Sequence, residues 1–166
     1  MAAETAGPLR SLRPVPYDSD VVRRLEAEVQ AEYVVRYGGP DETPVDPAQF
    51  APPDGAFVVA YAGDEPVAMG GFRRHDETSA EIKRMFVAGA HRGRGHARSV
   101  LAELERMAAA AGYRRMVLET GLRQPEAIGL YVAAGYTPVS GFGHYRDSPL
   151  NRCFARPLVV PPAPPQ

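Results

Sequence analysis

A turn rich in glycine and basic side chains, HRGRGHA at residues 91–97, is the first candidate for chemistry in this chain. It lies between a predicted strand, which ends in EIKRMFV, and a long amphipathic segment with helical spacing. The start of a helix presents unpaired backbone N–H groups and the positive end of the helix dipole. Gly93 and Gly95 allow close approach of the backbone to a ligand, and Arg92 and Arg94 add positive charge. The pattern therefore predicts a phosphate-binding turn.

Two common phosphate-binding loops do not fit this turn. A P-loop requires Lys-Ser or Lys-Thr directly after its second glycine, and neither pair follows Gly95. A dinucleotide-binding loop requires a third small residue three positions after Gly95, where this chain has Arg98. The turns that bind coenzyme A remain as the candidate class.

The composition limits the class of protein. The chain has 166 residues, of which 45% are hydrophobic and 23% charged, as expected for one globular domain. Its formal net charge of −1 argues against a nucleic-acid-binding protein, which would be strongly basic. Cys153 is the only cysteine, which excludes an internal disulfide and favours a reducing compartment. The absence of a long apolar segment or a signal-peptide core adds to the prediction of a cytoplasmic protein with no membrane partner.

The hydrophobic periodicity predicts a mixed α/β domain around the turn. Helices are predicted over residues 19–36, 97–111 and 125–134. Strands are predicted over residues 9–15, 56–61, 66–72, 79–87, 115–120, 136–139 and 151–157. The acidic, proline-rich segment 41–54 is expected to be a loop with at most one short helical turn. This order predicts one α/β domain over residues 1–157 with a central, partly parallel sheet, followed by a disordered proline-rich tail at 158–166.

Three motifs together resemble the GNAT superfamily of N-acetyltransferases. RGRGHA, at residues 92–97, matches the family motif R/Q-x-x-G-x-G/A. EIKRMFV, at residues 81–87, resembles the central strand that leads into that motif, and LYVAAGY, at residues 130–136, is similar to the family's LYxxxGF/Y motif. The motifs occur in the family's order and spacing, and the similarity covers roughly residues 9–157. The resemblance implies the acyl-CoA N-acyltransferase fold, in which a mixed, mostly antiparallel sheet flanked by helices splays at the cofactor site.

The resemblance implies that acetyl-CoA is the co-substrate. The backbone of Met85, Phe86 and Val87 would pair with the pantetheine arm, as a peptide pairs with a sheet edge. Gln124 stands where many family members have a cofactor-contacting asparagine, and its longer side chain is expected to reach the same atoms. The four histidines lack the spacing of a metal site, so no metal is expected. The pyrophosphate would be bound by the amides of the turn, namely those of Arg92, Gly93, Arg94, Gly95, His96 and Ala97.

The implied reaction is acetyl transfer to a primary amine of a small molecule, amino acid or peptide, by direct attack in a ternary complex. An alkylammonium must lose a proton before it attacks, so a base or a proton path is required. Glu81 has the Ala-Glu-Ile context of the catalytic glutamate in some members and is the predicted base. The alternatives are ordered water as the proton path, and an ion pair between Glu81 and Lys83 or an arginine. Tyr131, the tyrosine of the LY motif, is implied as the acid that protonates the thiolate, with a packed aromatic as the alternative.

Two loops are expected to form the acceptor side. The first, within residues 33–54, carries Asp41, Glu42 and Asp46, which would attract a cationic amine. The second, at residues 140–150, carries groups suited to a carboxylate or an aromatic ring: Phe142, His144, Tyr145 and Arg146.

Two other functions stay open at this point. One is a non-catalytic acyl-CoA-binding module of the same fold that acts as a sensor or partner domain. The other is an acyltransferase that uses a longer acyl chain, which the depth of the pocket near Met85 and Phe86 would decide. A homodimer is compatible with the family.

Overall fold

The computed structural model describes residues 10–159 and residue 165. Its strands are β1 (Arg10–Pro14), β2 (Ala56–Ala62), β3 (Glu65–Arg74), β4 (Ser79–Val87), β5 (Arg115–Gly121), β6 (Thr137–Val139) and β7 (Asn151–Pro157). Its α-helices are α1 (Asp20–Tyr37), α2 (His96–Ala110) and α3 (Pro125–Ala133). Short 3-10 turns lie at Pro47–Phe50 and Gly89–His91.

The strands form one sheet in the order β1-β2-β3-β4-β5-β7-β6. Only β4 and β5 are parallel to each other, and every other neighbouring pair is antiparallel. The predicted α/β class, with a mixed and mostly antiparallel sheet flanked by helices, is therefore confirmed. The β4–β5 ladder pairs only three positions, from Ser79 with Arg115 to Glu81 with Val117. Beyond Glu81 the two parallel strands separate, and the sheet is splayed there.

Helices cover both faces of the sheet because successive strand residues point to opposite sides. Phe57 and Val59 of β2 pack with α1, whereas Val58 and Ala60 pack with α2 and α3. Helix α1 contributes Val22, Leu25 and Val29 to the core that contains Phe57 and Val59, and all three are at most 2% exposed.

Helix α2 is fixed against the sheet along most of its length. Val100, Leu101, Leu104 and Ala108 recur at steps of three and four and are at most 1% exposed, as the helical pattern predicts. Each buried Val or Leu stabilises the fold by about 2 kcal/mol. This packing positions the glycine turn, at the N-terminus of α2, beside the end of β4.

Most predicted boundaries agree with the structure within one or two residues. Helix α1 begins at Asp20, and Ser19 has an extended N-cap conformation but makes no side-chain capping bond. The helix ends where Gly38 adopts a left-handed φ of 80° and donates its N–H to the Val34 carbonyl. The single turn expected in the acidic loop is present at Pro47–Phe50, where the Asp46 side chain accepts a hydrogen bond from the Ala48 N–H.

Two predictions fall largely outside the described residues. Residue 9, where the first strand is predicted to start, is not among the described residues. The same is true of most of the predicted tail at 158–166. Leu158 is described: its N–H donates to the Arg114 carbonyl, and its side chain packs against the core.

Candidate active site

A cavity of about 450 Å³ occupies the gap where β4 and β5 separate. Strand β4 contributes residues 82–85 to its wall, and β5 contributes residues 119–121. The end of α1 with the loop after it, the first turns of α3, and the loop before β7 complete the lining. The cavity therefore lies at the position where the resemblance places the splay of the sheet.

A β-bulge in β4 shapes one wall of the cavity. Between the pairs Met69–Phe86 and Gly71–Lys83 the register shifts, so two residues of β4 lie opposite Gly70. One of those two, Arg84, has a φ of 60°, which is strained for a residue other than glycine.

Ion pairs across to α1 and the following loop hold the bulge in place. The side chain of Arg84 is only 4% exposed, and its Nε lies 2.9 Å from Glu26 Oε1. Its Nη1 pairs with the carboxylate of Asp41. Two buried charge-assisted contacts of this kind offset the local backbone strain.

The end of β4 has an unpaired edge that faces the cavity. Strand β3 pairs with β4 as far as Val87, but β5 pairs with β4 only as far as Glu81. The backbone groups of residues 82–87 on the β5 side therefore have no strand partner, which suits pairing with an extended ligand. Met85 lines the cavity and Phe86 is buried against the α1 core, while the Val87 carbonyl accepts a hydrogen bond from Arg92.

The glycine turn has the backbone conformation that its sequence requires. Gly93 and Gly95 have φ values of 77° and 79°, in the left-handed region that favours glycine. A Cβ at Gly93 would meet no atom within 4 Å, so the space in front of the turn is open. Gly95 is the N-cap of α2, which begins at His96, so the N-cap residue itself has no side chain that could cap the helix.

The side chains of the turn point in different directions. Arg92 Nη2 lies 2.7 Å from both carboxylate oxygens of Glu32 in α1, so this arginine anchors the turn to α1. Arg94 is exposed, whereas His96 is buried with its ring 6.2 Å from that of His91. Ala97 is half-buried in the first turn of α2.

Gln124 lines the cavity but contacts α1. Its Oε1 accepts a hydrogen bond from the Tyr37 hydroxyl at 3.2 Å. The Tyr37 ring lies directly over Gly121, where a Cβ would come within 1.7 Å of the hydroxyl. Arg36 reinforces this contact with an ion pair to Glu126 at 2.5 Å. The end of α1 is therefore joined to the β5–α3 segment beside the cavity.

Tyr131 lies on α3 at the cavity wall. It is 5% exposed, and its ring makes an edge contact with Tyr136 at a centroid distance of 5.6 Å. Burial raises the pKa of Tyr131. The phenol is therefore protonated at neutral pH and can donate a proton or a hydrogen bond.

Glu81 lies outside the cavity lining. Its side chain is 7% exposed, and its Oε1 accepts a hydrogen bond from Arg73 Nε at 3.0 Å. Arg73 also binds the Pro44 carbonyl and the side chain of Gln49, so the pair holds the acidic loop to the sheet. This is the arginine ion pair that the sequence offered as an alternative. The role of Glu81 as the base stays a prediction.

Glu119 is a candidate that the sequence analysis missed. Its side chain is 5% exposed, Oε1 lies 3.6 Å from Lys83 Nζ, and the buried Oε2 has no hydrogen-bond partner among the described residues. Burial raises the pKa of Glu119, and Glu81 and Asp41 raise it further, although Lys83 opposes the shift. A sequence signal was present, because an acidic residue in the apolar strand RMVLETG is rarely buried without a reason.

Asp41 and Lys83 complete the charged wall. Burial by itself would raise the pKa of Asp41, but Lys83, Arg84 and hydrogen bonds from Thr43 lower it to about 2. Lys83 Nζ lies 4.0 Å from Asp41 Oδ2, so the ammonium faces this carboxylate as well as Glu119. At neutral pH Asp41 is ionised and Lys83 is shared between two carboxylates.

The two predicted acceptor loops meet at the cavity through some of their residues. Asp41, Glu42 and Tyr145 line it, and the Glu42 N–H donates to the Tyr145 hydroxyl at 2.8 Å. The other predicted residues are not in the lining. Asp46 caps the 3-10 turn, Phe142 contacts His75, and His144 and Arg146 lie elsewhere on the second loop.

The cavity opens toward both faces of the sheet. Ile82 and Leu118 belong to the core under α2 and α3, so the adjacent Lys83 and Glu119 point to the α1 face. Tyr131 approaches from the α3 face. Groups on opposite faces therefore meet where β4 and β5 separate.

The described residues contain no helix that is long and apolar enough to span a bilayer. Within the same part of the chain, no three His, Cys, Asp or Glu side chains converge as a metal site.

Comparisons with known proteins agree with this architecture. The model of the acetyltransferase (GNAT) family matches residues 23–136. A relative from Azospirillum brasilense named IAA acetyltransferase is 36% identical over 115 residues, which cover 69% of this chain and 75% of the relative. A candidate acyl-CoA N-acyltransferase structure from Klebsiella pneumoniae has a TM-score of 0.79 at 25% identity, and the match covers 91% of this chain and 99% of that one.

A structure with a bound acetyl donor has the same fold. It is a GNAT family acetyltransferase from Elizabethkingia anophelis with acetyl-CoA bound, and it matches with a TM-score of 0.65 at 15% identity. That match covers 90% of this chain and 98% of the other. From the family match, the Azospirillum relative and the shared fold, we conclude that this chain belongs to the GNAT family of acetyltransferases.

Proposed function

We propose that this protein is an N-acetyltransferase that moves the acetyl group of acetyl-CoA to a primary amine of a small molecule. The observation that carries the proposal is the cavity between the separated ends of β4 and β5. It has a protonated phenol, Tyr131, at its wall on the α3 face and a buried carboxylate, Glu119, at its wall on the α1 face. This arrangement supports direct transfer between two ligands that are bound together.

The residues present fit an acyl-CoA. The open space at Gly93 and the glycine at the N-cap of α2 suit a pyrophosphate, which would contact the amides of residues 92–97. The free edge of β4 from Met85 to Val87 suits an extended pantetheine arm. The bound acetyl-CoA of the Elizabethkingia relative supports the same donor here.

The proposed chemistry needs one proton removed and one supplied. Acetyl-CoA supplies the acetyl group as a thioester, which the amine nitrogen attacks directly while the thiolate leaves. Glu119 accepts the ammonium proton, because a carboxylate with a raised pKa is suited to hold it. Tyr131 donates a proton at the sulfur. Glu81 is the competing candidate for the base, and its pairing with Arg73 favours Glu119.

A non-catalytic acyl-CoA-binding module is the second candidate. The buried, unpartnered oxygen of Glu119 speaks against it, because such a group lowers stability and a module that only binds acyl-CoA would not need it. The sequence features that favour a cytoplasmic protein are compatible with either function.

The first experiment separates donor binding from turnover. Calorimetry is expected to detect acetyl-CoA binding by the wild type and its loss in Gly93→Glu, which places a negative charge in front of the turn. The matched control is Gly112→Glu at the opposite end of α2, where φ is 97° and the space is equally open.

Release of free CoA that depends on added amine then tests catalysis. Equal acetyl-CoA binding by both glutamate variants would overturn the assigned pyrophosphate site. Binding without release across a panel of amines would favour the non-catalytic module.

A further inference from the structure

The charges around the cavity do not balance. Its lining includes the carboxylates of Asp41, Glu42 and Glu119 and the cations of Lys83 and Arg84. Arg84 is also paired with Glu26 outside the lining, at 2.9 Å. Lys83 faces Asp41 and Glu119, and Arg84 faces Asp41 and Glu26, so the two cations face three carboxylates. With Glu42 the cluster has four carboxylates and two cations, an excess of two negative charges.

Glu119 carries the first of the two excess negative charges, in the buried part of the cavity wall. Glu119 is 95% buried in its side chain, lines the cavity, and has an Oε2 with no hydrogen-bond partner among the described residues. Lys83, its nearest cation, stands 3.6 Å from the other oxygen and is shared with Asp41. An ammonium group of a ligand in the cavity beside Glu119 would add positive charge to a carboxylate whose cation is shared with Asp41.

The other negative charge in excess lies at the rim. Glu42 is exposed and lines the cavity, and its carboxylate makes no ion pair within the described part of the chain. Its backbone is held in place by the hydrogen bond to Tyr145. The rim therefore presents a second acidic group to any ligand that extends outward from Glu119.

The remaining wall is neutral and partly aromatic. Tyr33, Tyr37 and Tyr145 line it, and burial raises the pKa of each, to about 12 for Tyr33. The faces of such rings pack well against methylene groups and ammonium cations. The lining offers no cation without a carboxylate partner, so a carboxylate on the acceptor would lie unpaired beside Asp41 and Glu119.

We infer that the acceptor is an aliphatic diamine or polyamine without a carboxylate. Its reacting amine lies against Glu119, its methylene chain lies along the tyrosines, and its distal ammonium faces Glu42. The inference rests on the proposed function, because it identifies the acceptor of the same site.

The test uses three amines that differ by one group at a time. Butylamine, putrescine and ornithine share a four-carbon chain, and putrescine adds a second amine while ornithine adds a carboxylate to putrescine. With acetyl-CoA fixed, kcat/KM from free CoA release is expected to be highest for putrescine. Ornithine is expected to be at least about tenfold slower, since its carboxylate meets unpaired negative charge in a buried site.

A variant at the rim makes the test specific to the second ammonium. Glu42→Gln is expected to raise KM for putrescine about two- to fivefold, as for an exposed ion pair, and to change KM for butylamine less than KM for putrescine. Glu28→Gln, an exposed change of the same charge on α1 outside the cavity, is the control.

The outcomes separate the two proposals. Equal kcat/KM for butylamine and putrescine, or faster turnover of ornithine, would overturn the inference and leave the proposed function standing. The same holds if Glu42→Gln changes the kinetics of all three amines alike. Failure of acetyl-CoA to bind would instead overturn the proposed function.

Discussion

Lys83 on β4 and Glu119 on β5 form an ion pair, with Nζ 3.6 Å from Oε1, directly after the last backbone pair between their strands. Glu81 and Val117 are that last pair, and Lys83 and Glu119 are the next residues on the same face. A side-chain contact thus replaces the hydrogen-bond ladder at the point where the sheet opens. The Glu119 carboxylate therefore lies in the wall of the cavity, which begins where the ladder ends.

Glu119→Gln is expected to lower kcat about 10²- to 10⁴-fold, because it removes the proposed proton acceptor. In the wild type, kcat/KM is expected to rise with pH through a value above 4.5, since burial raises the pKa of Glu119. The variant should lack this rise, the acid limb of the pH profile, while it retains its affinity for acetyl-CoA. Steady-state rates from pH 5 to 9 measure both.

Glu81→Gln is the counterpart that decides between the two carboxylates. It is expected to lower stability, because it breaks the ion pair with Arg73, and to reduce kcat far less than Glu119→Gln. If Glu81→Gln is instead the variant that loses the acid limb, the role of base returns to the residue that the sequence predicted.

Tyr131→Phe is expected to reduce kcat about 10²-fold with no change in acetyl-CoA affinity, as for loss of a general acid. The matched control is Tyr136→Phe. The Tyr136 hydroxyl donates a hydrogen bond to Glu105 at 3.1 Å, and this contact lies outside the cavity lining. That variant should lose about 1 kcal/mol of stability and keep its activity. Equal kcat losses in both variants would assign Tyr131 a packing role only.

Asp41→Asn is expected to remove a contribution to the free energy of unfolding that the wild type has near neutral pH and loses in acid. Lys83 and Arg84, together with Thr43, outweigh burial and lower the pKa of Asp41 from 3.8 to about 2, so ionised Asp41 stabilises the folded state. This contribution is present above pH 3.8 and is lost as the pH falls toward 2. It amounts to about 2 kcal/mol. Urea unfolding of both proteins at pH 6 and at pH 2.5 measures it, and an equal acid loss in both would contradict it.

Gly70→Ala is expected to destabilise the protein by about 1–3 kcal/mol through overpacking at the bulge. Its Cβ would lie 2.5 Å from Met85 Sδ and 3.0 Å from Val100 Cγ1, so Met85 must move in the cavity wall and acetyl-CoA should bind more weakly. Gly129→Ala is the control in α3, where the space is open and helix propensity predicts stabilisation. Thermal unfolding should shift in opposite directions for the two variants.

The elements were predictable because their signals are local. The steps of three and four from Val100 to Ala108 define the buried stripe of α2, and Gly38 and Gly95 mark helix ends through their backbone freedom. The glycine turn is predicted to bind an anion for the same reason, since adjacent residues supply its amides and its charge. The LY motif likewise placed Tyr131 on a helix without any knowledge of its surroundings.

The sequence by itself determined the family, the order of the elements and the position of the turn, because these depend on residues close together in the chain. The tertiary structure decided which acidic groups enter the cavity. Glu81 and Glu119 lie 38 positions apart on parallel strands. Only the register of β4 with β5 shows that the ladder ends at Glu81 and that Glu119 is the first acidic side chain beyond the last pair. The register of β3 with β4 places Arg73 beside Glu81, where it pairs with this carboxylate. Long-range pairing of this kind has no signature in the local pattern of either strand.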